Sequence, residues 1–159
     1  MTSIEVDKNN STYSSIDGNL YTKDGKQIVQ YAIGKYDGVF EIPSQVTNIW
    51  WVAFWNAINL NKIIIHKNVS TIGQDAFHRC TSLTEIYVDP KNTKYCSIDG
   101  NLYDSKATTL ISYAYGKDED SFTVPSTVTT IGRRAFDLSS LVEIILPEGL
   151  TTIGFESFA

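Results

Sequence analysis

The amino-acid sequence predicts an α/β solenoid: one stack of short repeated units, mainly β with short helical turns, carrying two β-hairpin inserts. Three observations predict it. The chain duplicates itself at an offset of 82 residues, with 24 identities in the 51 ungapped positions that align 4–54 with 86–136. A shorter period of 22–23 residues runs inside that duplication. Apolar residues recur in register from unit to unit, as expected of a stack in which each unit completes its neighbour's core.

The units follow in order. The offset carries IEVD at Ile4 onto IYVD at Ile86, SIDGNLY at Ser15 onto SIDGNLY at Ser97, and Tyr31-Ala32 onto Tyr113-Ala114. Units over 6–41, 42–64, 65–87, 88–123 and 124–145 are followed by a partial one over 146–159, all in a single domain. Two of these units span 36 residues and share the insert. Within a unit, the alternation in LTEIYV predicts a short strand that buries Leu83, Ile86 and Val88. The stretch V-x-x-I-G-x-x-A-F, Val69 to Phe77, turns at Gly73 and predicts a compact helical or irregular return. One apolar column is then Ile49, Ile72, Ile131 and Ile153, and another is Phe54, Phe77, Phe136 and Phe158. Each buried Phe contributes about 1.5–3 kcal/mol. In the first insert Asp24-Gly25 separates two apolar runs, a hairpin signal. The second lacks the glycine, which predicts a different turn. A last unit without a polar closing segment suggests a fragment of a longer array.

Composition excludes several function classes. The net charge is −5, against a nucleic-acid footprint or a basic membrane-surface patch. The longest apolar run, Ile49 to Trp55, is less than half of the roughly 18–20 residues that span a bilayer. The opening MTSIEVDKNN has neither the basic nor the apolar region of a signal peptide.

Chemistry-bearing residues are sparse. The two cysteines, Cys80 and Cys96, align with Ala57 and Ser139 and with Ser14, so these positions ask for a small side chain rather than a bond. His66 and His78 stand at unlike places in one unit, and no ligand spacing suited to zinc exists. The acidic loops from Asp7, Asp89 and Lys117 lack the pattern of a calcium loop. Neither a nucleophile elbow nor a phosphate-cradling loop is present. Nothing in the sequence calls for a metal or cofactor, and no catalytic residue is singled out.

Two surface groups stand out instead. Trp50, Trp51 and Trp55 fall at slots filled elsewhere by Gly73, Gln74 and His78, or by Gly132, Arg133 and Asp137. Positions that elsewhere carry polar residues point outward, which predicts an exposed aromatic patch suited to sugars or proteins. The competing expectation is that the tryptophans pack beneath the preceding long unit or against another chain. On the strand face, inward Ile63, Ile86 and Ile144 leave Lys62, Ile64, Glu85 and Tyr87 outward, either as a binding surface or as ordinary mixed surface.

Units of 20–29 residues with a Leu-x-x-Ile-x-Leu core lie in the leucine-rich repeat range. The pattern L-x-x-I-x-L-P-x-x-V-x-x-I-G-x-x-A-F-x-x-C-x-x-L, carried by 83–88 with 124–136 and by 60–80, resembles the BspA-type leucine-rich repeats of bacterial and protist surface proteins. Two departures are Trp50 for the glycine of the I-G step, and His66 where Pro43, Pro125 and Pro147 stand elsewhere. The resemblance implies a non-enzymatic binding or adhesion module of a bacterial surface or secreted protein, contacting host protein, glycan or another cell. Two other roles stay open. One is an accessory repeat segment of a larger secreted enzyme; the other is a structural module that self-associates through the Trp patch.

Overall fold

Short alternating segments such as Lys62-Ile63-Ile64-Ile65 and Glu85-Ile86-Tyr87-Val88 bury every second side chain, so each forms a brief strand that needs a neighbour on both edges. A computed structural model, which describes residues 1–159, shows how those neighbours are supplied. The first side of the solenoid is a parallel ladder of β4 (Val39–Glu41), β6 (Lys62–Ile65) and β8 (Glu85–Val88), with Ile63 opposite Ile86 and Ile64 opposite Tyr87. It resumes as β12 (Ser121–Thr123) beside β14 (Glu143–Ile145).

The second side holds two five-stranded sheets built alike. In the first, β1 (Tyr13–Ile16), β2 (Asn19–Thr22) and β3 (Gln27–Gln30) form an antiparallel meander, and β3 continues in parallel with β5 (Asn48–Ile49) and β7 (Thr71–Ile72). In the second, β9 (Tyr95–Ile98), β10 (Asn101–Asp104) and β11 (Thr109–Ser112) are followed by β13 (Thr130–Ile131) and β15 (Thr152–Ile153). The duplication in sequence is thus a duplication of blocks, each led by its insert. The interior divides accordingly, into a larger cluster around Ile28, Ile49, Phe54 and Ile63 and a smaller one around Leu110, Tyr113, Ile131 and Phe136.

The third side corrects the expected helical turns. The chain contains no helix, and the fold is a β-solenoid rather than an α/β one. Along 52–57 the amides alternate in their partners. Ala53, Trp55 and Ala57 donate to the carbonyls of Trp50, Val52 and Phe54, three residues back, whereas Val52, Phe54 and Asn56 donate to Gln74, Ala76 and His78 in the next turn. A helix would direct every amide inward along its own axis. Here Val52 and Asn56 take positive φ (55° and 62°), which turns alternate amides out to the neighbour. Arg134, Phe136 and Leu138 repeat the device toward Phe155, Ser157 and Ala159.

Each insert is a three-stranded meander, one strand more than a hairpin. Its first turn lies within the shared SIDGNLY: Asp17-Gly18 and Asp99-Gly100 all have positive φ, the two-residue turn that matches strand twist. The second turn also corrects an expectation. Ala107 (φ 52°) occupies the left-handed position of Gly25 (φ 68°), so the turn is of the same kind despite the lost glycine. Asp104 compensates by accepting from the amides of Thr108 and Thr109 and from the Thr108 hydroxyl. An L-residue held in that region costs about 1–2 kcal/mol. Ala107→Gly is therefore expected to raise stability by about 1 kcal/mol and Gly25→Ala to lower it similarly, as read from urea midpoints.

Candidate functional site

On the strand face, β6 and β8 bring Lys62, Ile64, Glu85 and Tyr87 together. Inward Ile63, Ile65, Ile86 and Val88 are buried, which forces the alternate side chains outward. Lys62 Nζ lies 2.9 Å from Glu85 Oε2 and 5.6 Å from the centre of the Tyr87 ring. Ile64 pairs with Tyr87 in register, and Glu41 approaches His66 Nε2 at 3.2 Å. A half-exposed ion pair of this kind contributes at most about 1 kcal/mol, so its effect is to set the rim of a small apolar spot rather than to hold the fold. The Asp99-Gly100 turn bounds the surface, with the Gly100 carbonyl accepting from the Ile86 amide where another strand would otherwise pair.

The tryptophans occupy the corner between the second and third sides. Trp50 and Trp51 are 44% and 58% exposed. Trp55 is half-buried, edge-on to the His78 ring at 4.6 Å. Phe54 between them points into the core, and the shared interior separates this corner from the strand face. The two surface groups are therefore distinct places.

A third cluster was not singled out by the sequence. Where the second block meets the first, Asp75 accepts from Arg133 Nε (3.1 Å) and Arg134 Nη1 (3.1 Å), and Arg134 Nε reaches Glu156 at 2.8 Å. Behind these pairs is a cavity of about 170 Å³ between Ile72, Phe77, Ile111 and Tyr115. Asp75 and Arg133 are 58 residues apart. They meet across the long unit, whose run from the end of β11 at Ser112 to the start of β12 at Ser121 is shorter than the matching runs of its neighbours.

His78 is buried at the same seam, its Nδ1 3.3 Å from Asp137 Oδ2 but off the line of a good hydrogen bond. Burial holds its pKa below the usual histidine value, outweighing Asp137 and Asp75, which favour the charged ring; Arg134 and Arg79 oppose it. The unfolded chain then binds a proton that the folded chain refuses, so stability falls as pH drops below the unfolded value of about 6.5. Urea midpoints are expected to decline between about pH 7.5 and 5.5, and His78→Gln to flatten that decline. Equal slopes would contradict it.

Both cysteines are free. Cys80 is wholly buried, its thiol donating to the Phe54 carbonyl at 3.1 Å, and burial pushes its pKa up to about 12. No group of three or more His, Cys, Asp or Glu side chains is placed to hold a metal ion. No helix is long and apolar enough to cross a membrane.

This geometry, stacked strands with a repeating I-G-x-x-A-F return, is that of a repeat family. A sequence model described as the BspA type leucine-rich repeat region matches residues 35–115 and 108–159. The chain belongs to the BspA-type leucine-rich repeat family, as the motif had implied. Among solved structures it is similar to a leucine-rich cell surface protein from Faecalibacterium prausnitzii (31% identity, TM-score 0.65, 73% of this chain and 31% of that one). It shares its fold with a leucine-rich repeat protein from Eubacterium ventriosum (20% identity, TM-score 0.59, 94% and 61%) and with the pneumococcal vaccine antigen PcpA (19%, 0.58, 94% and 56%). The chain thus spans between 31% and 61% of the length of these proteins. No curated protein matches the sequence. The fold is that of bacterial surface proteins and is compatible with a binding module.

Proposed function

We propose that this chain is a non-catalytic binding module of a surface or secreted bacterial protein, recognising a host protein, a glycan or another cell. The observation that carries the reading is the outward strand face, where Ile64 and Tyr87 form an apolar spot rimmed by the Lys62–Glu85 pair. The core does not require those side chains, since Ile63, Ile65, Ile86 and Val88 already fill the interior. Aromatic anchors beside a polar rim are the usual make-up of a recognition surface. The likeness to a cell surface protein supports the extracellular location.

The test presents mucin glycans and extracellular-matrix proteins, immobilised one by one, to the wild-type chain and to Ile64→Asp and Tyr87→Ser. One of these ligands is expected to be retained, with affinity falling about tenfold or more in the variants while the melting midpoint holds. Retention unaffected by either substitution would remove the strand face from the binding role.

A further inference from the structure

Third-side turns bond to one another through alternate amides, and the seam between the two blocks is where that pattern breaks. In the unit over 42–64, Val52 and Phe54 donate to the carbonyls of Gln74 and Ala76; in the unit over 124–145, Arg134 and Phe136 donate to those of Phe155 and Ser157. Asp75 and Phe77 are the counterparts of Val52 and Phe54 one unit on. Asp75 has the same positive φ, 56° against 55° for Val52, so its turn directs the same two amides at the neighbouring segment. No backbone carbonyl accepts from either of them.

The neighbouring segment belongs to the long unit and stands off at this point. Its Tyr113 amide donates to the Ala135 carbonyl of the following unit, and it closes on the earlier unit only at Gly116, whose amide donates to the Leu83 carbonyl at 2.8 Å. The cavity of about 170 Å³ is the wedge left between them. Ile72, Phe77, Ile111 and Tyr115 give it apolar walls, while Asp75 and Arg133 line its polar side. Apolar walls around a space of this size accept a molecule about as large as benzene. Buried backbone amides almost always have an acceptor, so an occupant that supplies an oxygen to Asp75 and Phe77 is favoured over a bare hydrocarbon. Charge narrows the choice further. Arg133 and Arg134 already face Asp75 and Glu156, two charges of each sign. A carboxylate would bring a third negative charge beside Asp75, and an ammonium a third positive one beside the arginines; a neutral group brings neither.

We propose that the seam wedge is a binding site for a small neutral amide carrying an apolar ring. The ring lies among Ile72, Phe77, Ile111 and Tyr115. The carbonyl oxygen accepts from the amides of Asp75 and Phe77, as the next turn's carbonyls do for Val52 and Phe54, and the ligand's N–H donates to the Asp75 carboxylate. Donor, acceptor and apolar body are thus all matched, which neither a hydrocarbon nor an aromatic acid achieves. The site stands apart from the strand face and does not depend on what that face binds.

Titration of the 1–159 chain with benzamide, benzoate and toluene tests it, followed by calorimetry and by the amide proton resonances in NMR. Benzamide is expected to bind about tenfold or more tightly than either control, the order of one hydrogen bond gained or one charge avoided. At saturation the amide protons of Asp75 and Phe77 are expected to move downfield, while those of Val52 and Phe54, already bonded, stay in place. Ile111→Phe fills the wedge from its strand wall and is expected to abolish binding, with circular dichroism checking that it folds. Should that variant unfold, the two amide shifts decide the matter alone. A chain that takes up no benzamide would overturn the proposal. So would toluene bound as tightly, or benzamide bound without a shift at Asp75 and Phe77.

Discussion

Phe54→Ala is expected to lower stability by about 3–5 kcal/mol, the cost of an aromatic cavity in a packed core. Phe54 is fully buried and is the hub of the ring cluster, with Tyr31 at 5.3 Å, Phe40 at 5.6 Å and Phe77 at 5.5 Å between centroids. Its neighbours cannot collapse into the space, because their backbones are fixed by the hydrogen bonds of Phe54 to Ala76 and of Tyr31 to Ala53. Phe158, in the same column, stacks on Phe136 at 5.6 Å but has an open outer face. Phe158→Ala is therefore expected to cost about 1 kcal/mol, the order of a single aromatic contact. Comparable losses at both positions in urea unfolding would mean that the column is not stabilised by being stacked from both sides.

The second large effect is steric. A methyl on Gly73 would collide with the Trp51 nitrogen and lie 2.6 Å from the Trp51 Cα, and both atoms are backbone that the ladder holds in place. Gly73 donates to the Ile49 carbonyl at 2.9 Å, so the turn cannot retreat without breaking the stack. Gly73→Ala is expected to destabilise by about 3 kcal/mol, the upper end of overpacking. Gly149 supplies the contrast, since nothing lies within 4 Å of a Cβ there. Gly149→Ala is expected to be neutral or to stabilise by up to about 1 kcal/mol, through the unfolded chain alone. A Gly73→Ala chain as stable as wild type would show that adjacent turns are not in backbone contact at the I-G step.

These two sites also show what the sequence conveys and where it falls silent. Phe54 recurs as Phe77, Phe136 and Phe158, and Gly73 as Gly132 and Gly154, at fixed spacing because stacked turns present like groups to one another, with Trp50 the departure at the glycine slot. Period, strands and core columns were legible for that reason. The third side was not. The spacing in V-x-x-I-G-x-x-A-F suits one turn of helix as well as it suits a run of β-turns, and what decides between them is the next turn, whose carbonyls at Gln74, Ala76 and His78 take the amides a helix would have kept. Val52 at positive φ is a conformation that no local propensity favours. The shared SIDGNLY insert reads as a hairpin, and the Asp17-Gly18 turn within it adds the third strand.

The surface groups were legible in a different way. Lys62, Ile64, Glu85 and Tyr87 follow from strand alternation alone, and the structure adds only the pairing that places them side by side. The seam cluster of Asp75, Arg133, Arg134 and His78 lay beyond reach, since its members come from two units that a third separates in sequence and meet only in the folded stack. Each of those residues looks like an ordinary polar slot in its own repeat.

The aromatics divide between two tasks: the Phe columns hold the stack, and the tryptophan corner remains on the surface. Acrylamide quenching of tryptophan emission, read on the dilute chain, tests that division most directly. Trp50 and Trp51 supply most of the exposed indole, so the account predicts a red-shifted emission that acrylamide quenches efficiently, with Trp51→Ser removing much of the quenchable part. A blue-shifted emission shielded from quencher would place the tryptophans in the core and contradict it.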